Sequence, residues 1–259
     1  MKKVNICILR SDGTNCDNEL FYAFKKFGGS PQFVHVNELR DKSKSLKDFQ
    51  ILALPGGFSY GDDIASGKIL AIELVSFLKK EIENFRDKGG LIIGICNGFQ
   101  TLVRTGLLPF GNLGELDATL ESNESGHFEC RWIDLKTENS KCVFLKGPYS
   151  VGHFAVNHGE GKFFSTPEII KRIEDEDLVV FRYVDEKGNP TQKYPENPNG
   201  SLNAIAGVTD PTGRILGLMP HPEKFIDTTQ YPNWRREKIK KPHGAFIFED
   251  MIKFVKEGK

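Results

Sequence analysis

The chain has 259 residues, and its 35 Lys and Arg balance its 35 Asp and Glu. Zero net charge gives no general attraction to nucleic acid or to an anionic membrane, and 39% hydrophobic with 27% charged residues excludes an intrinsically disordered chain. The five cysteines are scattered without a CxxC pair, which points away from zinc ribbons and disulfide scaffolds and toward a cytoplasmic protein.

The opening MKKVNICILR resembles a secretion signal only briefly, because its apolar run is short and interrupted by Asn5. Val4 to Leu9 is predicted instead to be a first buried strand. Helical spacing through Leu20, Phe21, Phe24 and Phe27 predicts a helix from Asp17 to Phe27, stopped at Gly28-Gly29. Strands follow at Gln32 to Val36 and Ile51 to Leu54, the latter running into 55-PGGFSYGDD-63. One long amphipathic helix is expected from Ile69 to Phe85, with Ile72, Leu74, Leu78 and Ile82 in its apolar stripe. Leu91 to Ile95 is a fourth strand, and a helix from Cys96 ends near Gly106. This βα alternation predicts a mostly parallel sheet flanked by helices.

Beyond it, Phe128 to Thr137, Val151 to Val156, Leu178 to Val184 and Ala204 to Val208 alternate polar with apolar residues, as strands of a mixed or antiparallel extension would. The segment 185-DEKGNPTQKYPENPNGS-201 reads as a long functional or mobile loop. Ile215 to Met219 is a last core strand before 220-PHPE-223, and Gly244 to Val255 a closing helix. The basic run 235-RREKIKK-241 reads as solvated surface or a contact segment. No repeat or linker divides the chain, so residues 1–259 are expected to form a single domain.

Three strand ends carry the chemistry. In 92-IIGICNGFQTL-102, Gly94 and Gly98 flank Cys96 in the spacing of a nucleophile elbow. Such a turn would set the sulfur at a helix N-terminus, where thiolate is favoured, and aim the N–H of Asn97 at an oxyanion. The same stretch is also compatible with a buried structural cysteine. PGGFSYGDD fails the Walker A pattern, and its functional reading is a second oxyanion donor at the N–H of Gly57. In PHPE, an extended backbone would put His221 and Glu223 on one side, giving a base and the group that orients it. A metal set from His153, His158, Glu160 and the His/Glu pair is the alternative, without a spacing typical of zinc.

Together, GICNGFQ, LPGGFSYGDD and MPHPE resemble the triad-type (class I) glutamine amidotransferases. The further segments GTNCDNE, FECRWIDL, HGEG and NPNGSLNAIAGV are similar to the branch formed by the glutaminase subunit of phosphoribosylformylglycinamidine synthase. The resemblance implies a flavodoxin-like fold in which Cys96 attacks the side-chain amide of L-glutamine, His221 transfers protons and Glu223 orients His221. It implies oxyanion donors at Gly57 and Asn97, glutamine contacts from Gln100 and His158, and no metal or organic cofactor in this chain. ATP and Mg are expected in a separate synthetase subunit, with a small bridging subunit as a further partner. The loop 10-RSD-12 departs from the family pattern, which often has proline there.

Overall fold

The computed structural model describes residues 3–145 and 151–258. The first half folds as βα units. Strand β1 (Asn5–Arg10) leads through helix α1 (Asp17–Lys26) to β2 (Ser30–His35) and the short helix α2 (Val36–Arg40). Next come β3 (Ile51–Leu54), helices α3 (Lys68–Phe77) and α4 (Lys79–Asp87), β4 (Leu91–Ile95) and α5 (Asn97–Arg104). The second half supplies β5 (Thr119–Ser122), β6 (Glu129–Thr137), β7 (Gly152–His158), β8 (Glu160–Phe164), α6 (Pro167–Asp175), β9 (Val179–Tyr183), β10 (Ile205–Thr209), β11 (Ile215–Leu218) and α7 (Ala245–Glu257).

Nine strands form one sheet in the order β2-β1-β3-β4-β11-β10-β9-β6-β7, and β5 pairs with β8 in a small second sheet. The pairings among β2, β1, β3, β4 and β11 are parallel, and those from β11 to β7 are antiparallel. The predicted parallel core with an antiparallel extension is therefore what forms. Its central strands ILAL and LIIGI are buried at every position, because helices cover both sides of such strands. Helices α1 and α7 meet through an edge-on contact of Phe24 and Phe248 at 5.1 Å. Helix α5 lies across β3, β4 and β11 and packs on α3. No helix among the described residues is long and apolar enough to cross a membrane.

Several local expectations are corrected. The long helix of residues 69–85 bends at Leu78 (φ −118°, ψ 4°) and becomes two. Backbone bonds continue on either side, from Leu78 N–H to Leu74 and from Ile82 N–H to Leu78, and the bend keeps Leu74, Leu78 and Ile82 buried. Ile72, expected in the apolar stripe, is turned to solvent. The 185–201 loop is anchored at its end: Asn199 donates to the Tyr183 hydroxyl at 3.1 Å, and Asn197 to the Ser201 carbonyl at 3.0 Å, all buried.

Strand order reverses between β1 and β3, the switch point at which open α/β sheets place their sites. The segments leaving β1, β3, β4 and β11 at their carboxyl ends are those containing Cys16, Gly56-Gly57, Cys96 and His221.

Candidate active site

The elbow at Cys96 is made by close packing. A side chain at Gly98 would drive its Cβ to 2.1 Å from the Leu54 carbonyl oxygen, so only glycine lets α5 start directly on β3. The turn forces Cys96 into φ 52°, ψ −108°, an unusual conformation for a residue with a Cβ. The Cys96 N–H donates to the Leu218 carbonyl at 2.8 Å, tying the elbow to the end of β11.

His221 follows that strand, and its N–H donates to Ala155 on β7 at 2.8 Å. The predicted extended PHPE is corrected here. Pro222 starts a single 3-10 turn, Pro222–Lys224, and the turn folds Glu223 back onto the ring. His221 Nδ1 and Glu223 Oε1 meet at 2.6 Å, with both side chains 1% exposed. His221 Nε2 and Glu223 Oε2 are buried with no hydrogen-bond partner among the described residues.

Gly56 is the residue around which these groups gather. A methyl group there would lie 2.8 Å from His221 Cε1 and 3.4 Å from both Cys96 Cβ and Cys16 Sγ. Its neighbour Gly57 has φ 149°, a region that favours glycine, and forms an antiparallel bridge with Thr14. The bonds flanking that bridge run from Asn15 to Gly56 and from Phe58 to Gly13. In this pattern the N–H of Gly57 points away from the 13–15 segment.

The Cys96 thiol donates to the Asn157 carbonyl at 3.6 Å. Burial pushes its pKa well up, and nearby Cys16 and Glu223 add to the shift, while the Asn97 N–H opposes it. The expectation that the helix N-terminus alone would favour thiolate is therefore corrected, because desolvation outweighs the few N–H groups of that terminus. Cys16 beside it is also held protonated, its pKa pushed up to about 12 by burial and then by Glu223.

The other expected residues are held by hydrogen bonds, Asn97 and Gln100 in one shared network and His158 in another. The Asn97 side chain accepts from the Ser59 N–H at 3.2 Å and donates to Asp62 at 2.9 Å and Gln100 at 3.0 Å. Gln100 donates in turn to the Glu160 carbonyl at 2.7 Å. His158, at the end of β7, pairs through Nδ1 with the Asn123 amide oxygen at 3.0 Å. Burial first, and His221 second, lower its pKa to about 3, so it is neutral. Its Nε2 is buried and has no partner among the described residues.

The alternative metal set does not assemble. His153 pairs with Asp134, while the Glu160 carboxylate takes the Ser66 N–H and faces Arg104. Among the described residues, Cys16, His221 and Glu223 do bring one donor atom each within 4.8 Å. The imidazole and carboxylate are already bonded to one another, the arrangement of an oriented base.

Sequence reasoning missed Gly56, Cys16 and Asn157. GTNCDNE and PGGFSYGDD are both motifs of the sequence, but it is the pairing of Thr14 with Gly57 that brings Cys16 against the histidine.

Comparisons with known proteins agree with this geometry. The family model of the CobB/CobQ-like glutamine amidotransferase domain matches residues 3–255. A Dehalococcoides mccartyi protein named phosphoribosylformylglycinamidine synthase subunit PurQ is 46% identical over 259 residues, covering 99% of this chain and 100% of the relative. A Methanococcus maripaludis protein of the same name is 41% identical over 248 residues, covering 94% and 91%. Among solved structures, a chain from "Structure of PurLQS from Thermotoga maritima" superposes with a TM-score of 0.74 at 29% identity, covering 98% of this chain and 100% of that one. A putative GMP synthase subunit from Thermoplasma acidophilum, 16% identical with a TM-score of 0.60, shares the fold. The chain belongs to the glutamine amidotransferase family of that domain model, on the branch of the PurQ subunits.

Proposed function

We infer that this chain is the glutaminase subunit of phosphoribosylformylglycinamidine synthase, hydrolysing glutamine to glutamate and ammonia for a separate ATP-dependent synthetase subunit. That partner converts formylglycinamide ribonucleotide to formylglycinamidine ribonucleotide in purine biosynthesis. The observation that carries the chemistry is the buried His221–Glu223 pair set beside Cys96 at Gly56.

His221 Nε2 takes the Cys96 proton as the sulfur attacks the glutamine amide carbon. Glu223 holds Nδ1–H and offsets the charge on the imidazolium. The N–H groups of Gly57 and Asn97 stabilise the oxyanion. Collapse expels ammonia, protonated by His221, and leaves a γ-glutamyl thioester that water hydrolyses. Burial favours the Cys96 thiol in the resting site, so its reaction requires that His221 take the proton. Gln100 serves the substrate end by holding the Glu160 backbone, and neutral His158 lies beside it.

This chain needs no metal or organic cofactor for its half-reaction; ATP and Mg belong to the synthetase subunit, and a small bridging subunit completes the assembly. Its 259 residues act as one domain in the cytoplasm. The test is glutamine-dependent amidation with the synthetase subunit, formylglycinamide ribonucleotide and ATP, run with this chain and with Cys96→Ala. Amidation with the native chain alone is the expected result. Equal glutamine-dependent turnover by Cys96→Ala would refute the mechanism, and absence of amidation by both would refute the pathway.

A further inference from the structure

A cavity of about 810 Å³ opens at the other end of the sheet from Cys96. Its wall includes Gln50, just before β3, and Gly89-Gly90, just before β4. The catalytic segments leave those same strands at their opposite ends, so the two places are separated by the length of the strands. The volume falls within the roughly 300–1,000 Å³ of small-molecule sites.

The lining is strongly one-signed. Lys42, Lys44 and Lys47 come from the segment after α2, Lys80 from α4 and Lys88 from its end. Among the described residues, none of these five ammonium groups forms an ion pair, whereas Lys26, Lys136, Lys162, Lys171, Lys241 and Lys253 each have a carboxylate partner. Among the described residues, one carboxylate lines the cavity, that of Glu81. Its Oε1 accepts from the Leu46 N–H at 2.7 Å and the Ser45 hydroxyl at 2.9 Å, and its single negative charge leaves the lysines in excess around the cavity. Those bonds also hold the lysine-bearing segment against α4. The chain as a whole has no excess of positive charge, so this concentration is local. Uncompensated like charges around a concave wall focus a positive potential into it.

We propose that this cavity binds a small polyphosphate anion, one carrying two or more phosphate groups. Several ammonium groups around one volume fit a ligand with several anionic oxygens, each lysine acting as a mobile point charge. A single carboxylate would leave most of the lysines unanswered. An extended nucleic acid or membrane surface would engage a convex face, while these lysines line a recess.

The experiment is calorimetric titration of the full chain with inorganic pyrophosphate and triphosphate at low and high salt. It compares the native chain, Lys44→Ala/Lys80→Ala/Lys88→Ala, and a control set of exposed lysines, Lys171→Ala/Lys193→Ala/Lys238→Ala. Saturable native binding that weakens with salt is expected. The cavity set should bind at least about tenfold more weakly, because most of the positive charge around the cavity is removed. The control set should bind like the native chain, and glutamine hydrolysis without anion should be equal in all three. Absence of saturable native binding to either anion at several millimolar would overturn the proposal. So would equal weakening in the cavity and control sets, which would show attraction to surface charge in general.

Discussion

The His221 ring and the Glu223 carboxylate are bonded at 2.6 Å in a place that water barely reaches, and each keeps one further polar atom buried and unanswered. Glu223 Oε1 fixes which ring nitrogen carries the proton, leaving Nε2 as the acceptor. In Glu223→Gln the amide keeps the shape and loses the charge that stabilises imidazolium. Glutaminase kcat should fall about 10²–10⁴-fold, the range of a general acid–base contribution, with KM little changed. Steady-state kinetics of the assembled complex would measure this, and an unaltered kcat would remove Glu223 from the mechanism.

Gly56 should tolerate no side chain. The methyl of Gly56→Ala would sit 2.8 Å from His221 Cε1, so the ring must move. A displacement of about 1 Å near reacting atoms costs on the order of 10²-fold in rate. Activity should drop by that order while the far-ultraviolet circular dichroism stays native. A fully active Gly56→Ala would show that the ring position is not critical.

Thiol chemistry should report the buried state of Cys96. Its pKa is raised from an ordinary 9.0, so the resting form at neutral pH is the thiol. Iodoacetamide at pH 7 should therefore modify exposed Cys130 first and Cys96 slowly, with the Cys96 rate still climbing above pH 9. Peptide mapping by mass spectrometry follows both sites. Fast Cys96 modification that levels off below pH 8 would indicate a preformed thiolate.

His158 sets an acid limit on stability. Its folded pKa is lowered from 6.5 to about 3, chiefly by burial. The unfolded chain therefore takes up a proton that the folded chain refuses between those values. The associated stability is complete above pH 6.5 and is lost as pH falls toward 3, at up to about 1.4 kcal/mol per pH unit. Urea unfolding should show this slope in the native protein and a shallower one in His158→Gln. Identical slopes would assign the acid lability to other groups.

Partner binding should raise the rate of glutamine hydrolysis. Cys96, His221 and Glu223 are 5%, 1% and 1% exposed, and the Cys96 thiol is occupied by the Asn157 carbonyl. Glutamine can reach the sulfur only if the cover formed by β7 and its following turn yields. The isolated chain should accordingly hydrolyse glutamine slowly, and addition of the synthetase subunit should increase kcat/KM. A rate indifferent to the partner would show that opening is intrinsic to this chain.

Much of this fold was legible because its core strands are short, continuous apolar runs punctuated by glycine. Ile51–Leu54 and Leu91–Ile95 form where expected, to the residue. Strands β5 and β8 were not legible: they are short, and their pairing depends on segments far apart in the chain. Helix α6 went unnoticed although Thr166 and Pro167 form a standard start signal before Ile169, Ile170 and Ile173. At the site, the elbow, base and orienting acid each follow a strand, so local pattern could find them. The parts played by Cys16 and Asn157 arise from backbone pairing across the molecule, which no local spacing encodes.

The residues before Cys96 and before Met219 are neighbours on parallel strands, with Ile95 opposite Leu218. The elbow that carries the thiol and the segment that carries the base thus leave the sheet one strand spacing apart, roughly 4.8 Å. Surface turns between those two positions, away from the β7 residues Ala155 and Asn157, can lengthen, shorten or acquire new attachments while the two reacting groups stay in step. A family built this way is free to serve many different ammonia acceptors with one unaltered reaction centre.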